Sequence, residues 1–130
     1  MLRVFLDANV LFSAAHLEEA RLLALWRSAH VRLVTSGYAA EEARRNLDTS
    51  DRRSRLEKLL TAVHIVAEAP RVTLPRGVRL PEKDEPILRA ALAAGATHLL
   101  TGDLRDCGHL LGRRLGRLWI QTPGEFLRSR

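Results

Sequence analysis

The chain has 130 residues, 46% of them apolar and 28% charged, enough to bury one core and too apolar to stay unfolded. Its longest apolar-rich stretch, 87–100, is interrupted by Arg89, Gly95 and His98, and it holds one cysteine, Cys107; a membrane span, an internal disulfide framework and a cysteine zinc cage are thereby excluded. The net charge of +6, with arginine supplying all but two of the 21 basic residues, favours an anionic partner and says nothing about fold.

Residues 3–6 form a short apolar run closing at Asp7, the pattern of a first strand with no signal-peptide layout before it. Between 17 and 29, Leu22, Leu23, Leu25, Trp26 and Ala29 share one face, with Glu18, Glu19 and Arg27 outside it. That spacing predicts an amphipathic helix. A second strand is expected over 31–35, and Ser36 caps a helix running to about residue 47. The polar segment 48–51 breaks that helix and caps another, from about 52 to 63. Residues 64–67 read as a third strand, and 70–81, with three prolines and a glycine, as a loop. The nearly all-apolar segment 86–94 ends at Gly95, which predicts a buried helix with a glycine past its C-terminus. Strands follow over 98–101 and 118–120, and Thr122-Pro123-Gly124 turns the chain into a short terminal helix.

Leu and Ala far outnumber Val, Ile and Thr, so helix should exceed strand, with room for four or five short strands. Strands alternating with helices imply an α/β fold in one domain over 1–130, a mainly parallel sheet with helices on both faces. Ligands of such sheets bind beyond the carboxyl ends of the strands, where strand order reverses. The residues just after each strand are therefore the candidates.

Asp7 closes the first strand and Asp103 the fourth; Asp84 begins the buried helix; Glu41 and Glu42 lie on the helix after the second strand; Asp106 is three residues past Asp103. Some have a plainer reading, Asp84 as an N-cap and Glu41 and Glu42 as solvated helix charges. On a helical wheel, Glu42 lies slightly nearer than Glu41 to the stripe of Ala39, Ala40, Ala43 and Leu47. Two carboxylates about 4 Å apart at an effective dielectric near 20 repel by roughly 4 kcal/mol, and a divalent cation removes that repulsion. All-oxygen ligation suits Mg²⁺ or Mn²⁺ rather than zinc. A hard ion among carboxylates is suited to activating water against a phosphodiester.

Four segments together resemble the PIN-domain family of metal-dependent nucleases. Phe5-Leu6-Asp7-Ala8-Asn9-Val10-Leu11 is similar to the family's opening strand and first acid. In Glu41-Glu42-Ala43-Arg44-Arg45-Asn46-Leu47 the acid stands five residues before a leucine, which selects Glu42. Pro81-Glu82-Lys83-Asp84-Glu85-Pro86-Ile87-Leu88 and Thr101-Gly102-Asp103 match the third and fourth motifs, and 121–127 resembles the family's tail. One departure is Leu104-Arg105-Asp106-Cys107 after the last acid, where some relatives carry an aromatic residue. The resemblance implies a three-layer α/β/α sandwich around a mainly parallel sheet and a Mg²⁺- or Mn²⁺-dependent ribonuclease. Asp7, Glu42, Asp84 and Asp103 would hold the metal, with Asp106 as an additional acid; Asn9 would shape the first loop and Thr101 would hydrogen-bond within the acidic cluster. Small bacterial members of this kind act as toxins of toxin–antitoxin pairs.

An acidic pocket needs basic surroundings to attract RNA. Arg44, Arg45, Arg52, Arg53 and Arg55 fall on two successive helices, and Arg113, Arg114 and Arg117 form a second group; phosphate contacts from such groups make binding salt dependent. The expected partners are RNA, a cognate antitoxin and a second copy of the chain, in the cytoplasm and with no membrane. The rival expectation is a non-catalytic PIN-fold module that binds nucleic acid or protein and shows no metal response. A phosphatase is disfavoured because Asp7-Ala8-Asn9 lacks a second acid two residues on, and a dinucleotide-binding domain because no Gly-x-Gly-x-x-Gly follows the first strand.

Overall fold

A computed structural model describes residues 1–17, 20–103 and 107–130. Among them are six strands in one sheet: β1 (Leu2–Leu6), β2 (Val31–Ser36), β3 (His64–Val66), β4 (His98–Leu100), β5 (Arg114–Leu115) and β6 (Leu118–Gln121), in the order β3-β2-β1-β4-β6-β5. Every pairing is parallel except the β5–β6 hairpin. The sheet thus has six strands rather than four or five. The extra one is the two-residue β5, too short for any periodicity to mark, and it is joined to β6 through Gly116 at φ +64°.

The helices are α1 (Ala8–Leu17), α2 (Ala20–Leu23), α3 (Gly37–Asn46), α4 (Ser50–Leu60), α5 (Glu85–Ala93) and α6 (Pro123–Arg128). The first helix starts directly after Asp7, well before the predicted one over 17–29, where the structure has α2 running into a 3₁₀ turn over Ala24–Arg27. Val10, Leu11, Ala14 and Ala15 are buried along α1. Asn9, Ser13 and His16 mark its less buried face at helical spacing, a pattern that sequence reasoning passes over when the segment after Asp7 is read only as the close of a strand. None of the helices among the described residues is long and apolar enough to cross a membrane.

Local chemistry sets the helix ends as expected. Ser36 Oγ accepts from the Ala39 amide and Thr49 Oγ1 from the Arg52 amide, capping α3 and α4. Thr122 and Glu125 form a reciprocal capping box on α6, with Pro123 in its first turn. At the end of α5, Gly95 adopts φ +65°; its amide donates to the Leu92 carbonyl and that of Ala96 to the Ala91 carbonyl, the paired closure that a left-handed glycine permits.

Along β1, Val4 and Leu6 face one core and Phe5 the other, as period-two geometry requires. The first core packs β1, β2 and β4 against α1, α3, α4 and α6 through Leu11, Ala43, Leu56, Leu100 and Phe126. The second packs Phe5, Val34, Leu99 and Ile120 against Ile87, Leu88 and Ala91 of α5. Each fully buried Leu or Phe contributes about 1.5–3 kcal/mol. Helices thus cover both faces of the sheet, and the carboxyl ends of its central strands remain accessible.

Candidate active site

Strand order reverses between β1 and β4, which pair directly, with β2 and β3 beyond one and β6 and β5 beyond the other. That reversal opens a crevice past the carboxyl ends of the two strands. Asp7 follows β1 there and Asp103 lies just past β4. Glu42 comes from α3, and Asp84 stands at the start of α5. All four acids line one open cleft of about 550 Å³, with Asn9, Phe12, Asn46 and Lys83 on its walls.

Asp7 is the fixed member. It is 6% exposed. Its Oδ1 accepts from the Ala8 amide at 2.6 Å, and its Oδ2 from Thr101 Oγ1 at 2.8 Å and Asn9 Nδ2 at 3.3 Å. Its own amide donates to the Leu100 carbonyl at 3.0 Å, so the backbone is held by β4 as well. Burial pushes its carboxyl up to about 6; the bonds from Thr101 and Ala8 oppose the rise, and the charges of Asp84 and Glu42 add to it. Asp7 therefore feels both other acids across the cleft.

Two polar residues tie the loop after β4 to Asp7. Thr101, 1% exposed, donates to Asp7 and accepts from the Asp103 amide at 3.1 Å. Asn9 Oδ1 accepts from the Gly102 amide at 2.7 Å. A Cβ at position 102 would lie 3.3 Å from that oxygen, so glycine lets the loop approach this closely.

Of the two glutamates on α3, Glu42 lines the cleft, whereas Glu41 is exposed and pairs with Arg44 at 3.5 Å. Asp84 occupies the N-cap position of α5 yet makes no capping hydrogen bond with its side chain; the plainer reading of this residue fails. Asp106 lies outside the described residues. The three groups on the cleft wall that sequence reasoning passed over are Phe12, Asn46 and Lys83. Asn46 stands one helical turn past Glu42, a spacing that puts both on one face, and Lys83 lies inside the same short motif as Asp84.

The first arginine group is engaged largely within the chain. Arg44 grips Glu57 with two nitrogens at 2.8 and 3.1 Å, and Arg52 pairs with Asp48 at 2.9 Å. Arg53 Nε donates to the Leu47 carbonyl and Arg55 Nε to that of Ala15. Arg45 is exposed on α3, and its charge acts on the Tyr38 hydroxyl together with those of Glu42 and Asp84.

Among the described residues, no three carboxylate, imidazole or thiol groups converge tightly enough to hold an ion as they stand. The donor set is nonetheless carboxylate oxygen throughout, and burial, with the charges of Asp84 and Glu42 adding to it, disfavours the charged form of Asp7 that a cation would favour. That chemistry fits a hard divalent ion.

A mainly parallel sheet sandwiched by helices, with an acidic cleft at its switch point, defines the class, and the chain belongs to the PIN-domain family: the family's PIN domain model matches residues 3–105, a span that includes all four acids. Among solved structures it is similar to VapBC2 from Rickettsia felis bound to a DNA fragment from their promoter, with a TM-score of 0.69 at 14% identity over 93% of this chain and 98% of that one. It is also similar to Mycobacterium tuberculosis VapC20, a sarcin–ricin loop cleaving toxin, with a TM-score of 0.55 at 15% identity over 78% of this chain and 91% of that one. Among curated proteins, no sequence matches significantly.

Proposed function

We propose that this protein is a metal-dependent endoribonuclease, acting through Asp7, Glu42, Asp84 and Asp103, with Asp106 as an additional acid. The observation that carries the reading is a buried aspartate fixed by Thr101, Asn9 and the Ala8 amide in one cleft with three further acids. Such an arrangement is costly without a positive charge to share. Family membership supports nuclease chemistry, and the fold shared with a sarcin–ricin loop cleaving toxin supports RNA as the substrate.

Bound Mg²⁺ or Mn²⁺, held by Asp7, Asp103, Asp84 and Glu42, would supply Lewis acidity and an activated water. The chain does the rest. Asp7 and Asp103, on the ends of paired strands, provide rigid oxygens, because Thr101 and Asn9 lock the loop between them. Glu42 and Asp84 reach in from α3 and α5, where they complete the donor set or orient the water. Lys83, on the cleft wall, offsets the phosphate charge as the strand enters. Arg45 on α3 and Arg53 on α4 add to the attractive field, and Arg44 and Arg52 add less, being paired with Glu57 and Asp48. The same reading makes the protein the toxin of a toxin–antitoxin pair in the cytoplasm, with a cognate antitoxin as partner; the VapBC2 resemblance supports this part. A homodimer belongs to it too.

The test is direct. Wild-type protein should cleave single-stranded RNA with Mn²⁺ and gain thermal stability from millimolar Mn²⁺ by mass action; Asp7→Asn and Asp103→Asn should fold and lose both. Cleavage retained in both variants removes the assigned site. A folded wild type that binds RNA in chelator, with no cleavage and no Mn²⁺ response, establishes the non-catalytic module instead.

A further inference from the structure

Tyr38 lies outside every motif that defines the acidic cleft, yet it joins the segments that carry two of its acids. It sits in the first turn of α3, four residues before Glu42. Its hydroxyl donates to the Lys83 carbonyl at 2.6 Å, across 45 residues of sequence. Lys83 is in the 3₁₀ turn Glu82–Asp84, whose last residue is Asp84, and the Asp84 amide donates to the Pro81 carbonyl at 2.9 Å. The Tyr38 bond therefore grips the turn one residue before the acid.

The tyrosine is itself anchored. Its amide donates to Glu68 Oε2 at 2.9 Å, so a carboxylate from the segment after β3 takes up one of the otherwise unsatisfied amides at the start of α3. The tyrosine is partly buried and packs against the second core, to which α5 contributes Ile87, Leu88 and Ala91. Backbone and ring are thus held, and the hydroxyl is presented at a defined point. The turn it grips also brings Lys83 to the cleft wall. The turn follows a long proline-containing loop with no regular structure from 67 to 81.

We propose that Tyr38 is a positioning residue that fastens the Lys83–Asp84 turn to the helix bearing Glu42, setting the separation of two acids across the cleft. It touches neither substrate nor metal and acts through Asp84. This inference rests on the nuclease reading of the cleft, and the experiment keeps the two apart.

Tyr38→Phe removes one oxygen and keeps the ring. Wild type, Tyr38→Phe, Asp84→Asn and the double variant are compared by Mn²⁺ titration calorimetry. Loss of one hydrogen bond that holds a ligand in place should weaken Mn²⁺ binding about three- to tenfold in Tyr38→Phe. The same substitution should change nothing further in the Asp84→Asn background, because its effect passes through that acid. In metal-free protein, hydrogen exchange at the Asp84 amide should accelerate in Tyr38→Phe while the α3 amides stay protected. With Mn²⁺ saturating, RNA cleavage should show an unchanged KM and a lowered kcat if the acid remains misplaced. Equal Mn²⁺ affinity in Tyr38→Phe and wild type, or an equal loss with and without Asp84, overturns the positioning role and leaves the nuclease reading standing. A wild type without Mn²⁺ binding overturns both.

Discussion

The Thr101 hydroxyl donates to Asp7 Oδ2 at 2.8 Å across 94 residues of sequence, joining the ends of two parallel strands inside a buried polar node. Thr101→Val keeps the shape and removes the donor. Of the influences that lower the Asp7 pKa this bond is the largest, so the carboxyl should rise further above about 6 and the acid limb of the cleavage profile should move to higher pH. Unfolding in urea at pH 8 should report a loss of about 1–3 kcal/mol, the range for an unsatisfied buried group. An unmoved pH profile would separate Thr101 from the charge state of Asp7.

Metal-free protein should become less stable as pH rises through the weakly acidic range. Asp7 titrates at about 6 folded against the ordinary aspartate value of 3.8, so the folded state holds its proton more tightly than the unfolded one. The stabilisation is complete below 3.8 and lost as pH climbs through about 6, a change of roughly 3 kcal/mol. Asp7→Asn should lack it. Denaturant unfolding of both proteins in chelator from pH 4 to 7.5 checks the sign, and added Mn²⁺ at pH 7 should restore what deprotonation removed.

His98 acts in the opposite sense. It stacks on Trp119 at 6.0 Å and meets Phe126 edge-on at 4.9 Å. Burial depresses its pKa, and the nearby Arg114 and Arg130 push it further down. The folded state resists protonation, so this stability is full above the unfolded value near 6.5 and is lost as pH falls below it. His98→Phe should keep the stacking and flatten that acid-side decline. A pH dependence identical to wild type would rule the group out as its source.

Gly95 should tolerate no side chain without strain. Its φ of +65° lies where an alanine costs about 1–2 kcal/mol, and the closure of α5 depends on it. Gly95→Ala should lower the melting temperature by roughly 4 °C per kcal/mol in a domain of this size. Cleavage per folded molecule should be unchanged, because the residue stands at the far end of α5 from Asp84.

Much of the scaffold is decided by short-range chemistry that the sequence carries openly. Apolar runs mark β1, β2 and β4; Ser36, Thr49 and Thr122 cap the helices that follow them; Gly95 ends α5. Acids placed just after strands disclose where a site must form, since a parallel sheet has its crevice at that edge. The helical wheel favours Glu42 over Glu41, and the structure has the first in the cleft and the second paired with Arg44 in solvent. Helix α1 carries only three polar residues, Asn9, Ser13 and His16, to show its period, and β5 escapes notice because two residues cannot show one.

Tertiary structure alone decides what each charge does. Whether Arg44 faces RNA or Glu57 depends on how α3 packs against α4. Whether Asp84 caps a helix or joins a cleft depends on how its turn is held, and Tyr38 holds it from 45 residues away. The sequence by itself determines which residues can carry the chemistry, because strand, cap and turn preferences act over a few residues. Only the folded chain makes Asp7 an acid with a pKa near 6: burial raises it, and the Thr101 bond and the charges of Glu42 and Asp84 reach it from the end of β4, from α3 and from the start of α5, brought together by the fold rather than by the residues next to Asp7.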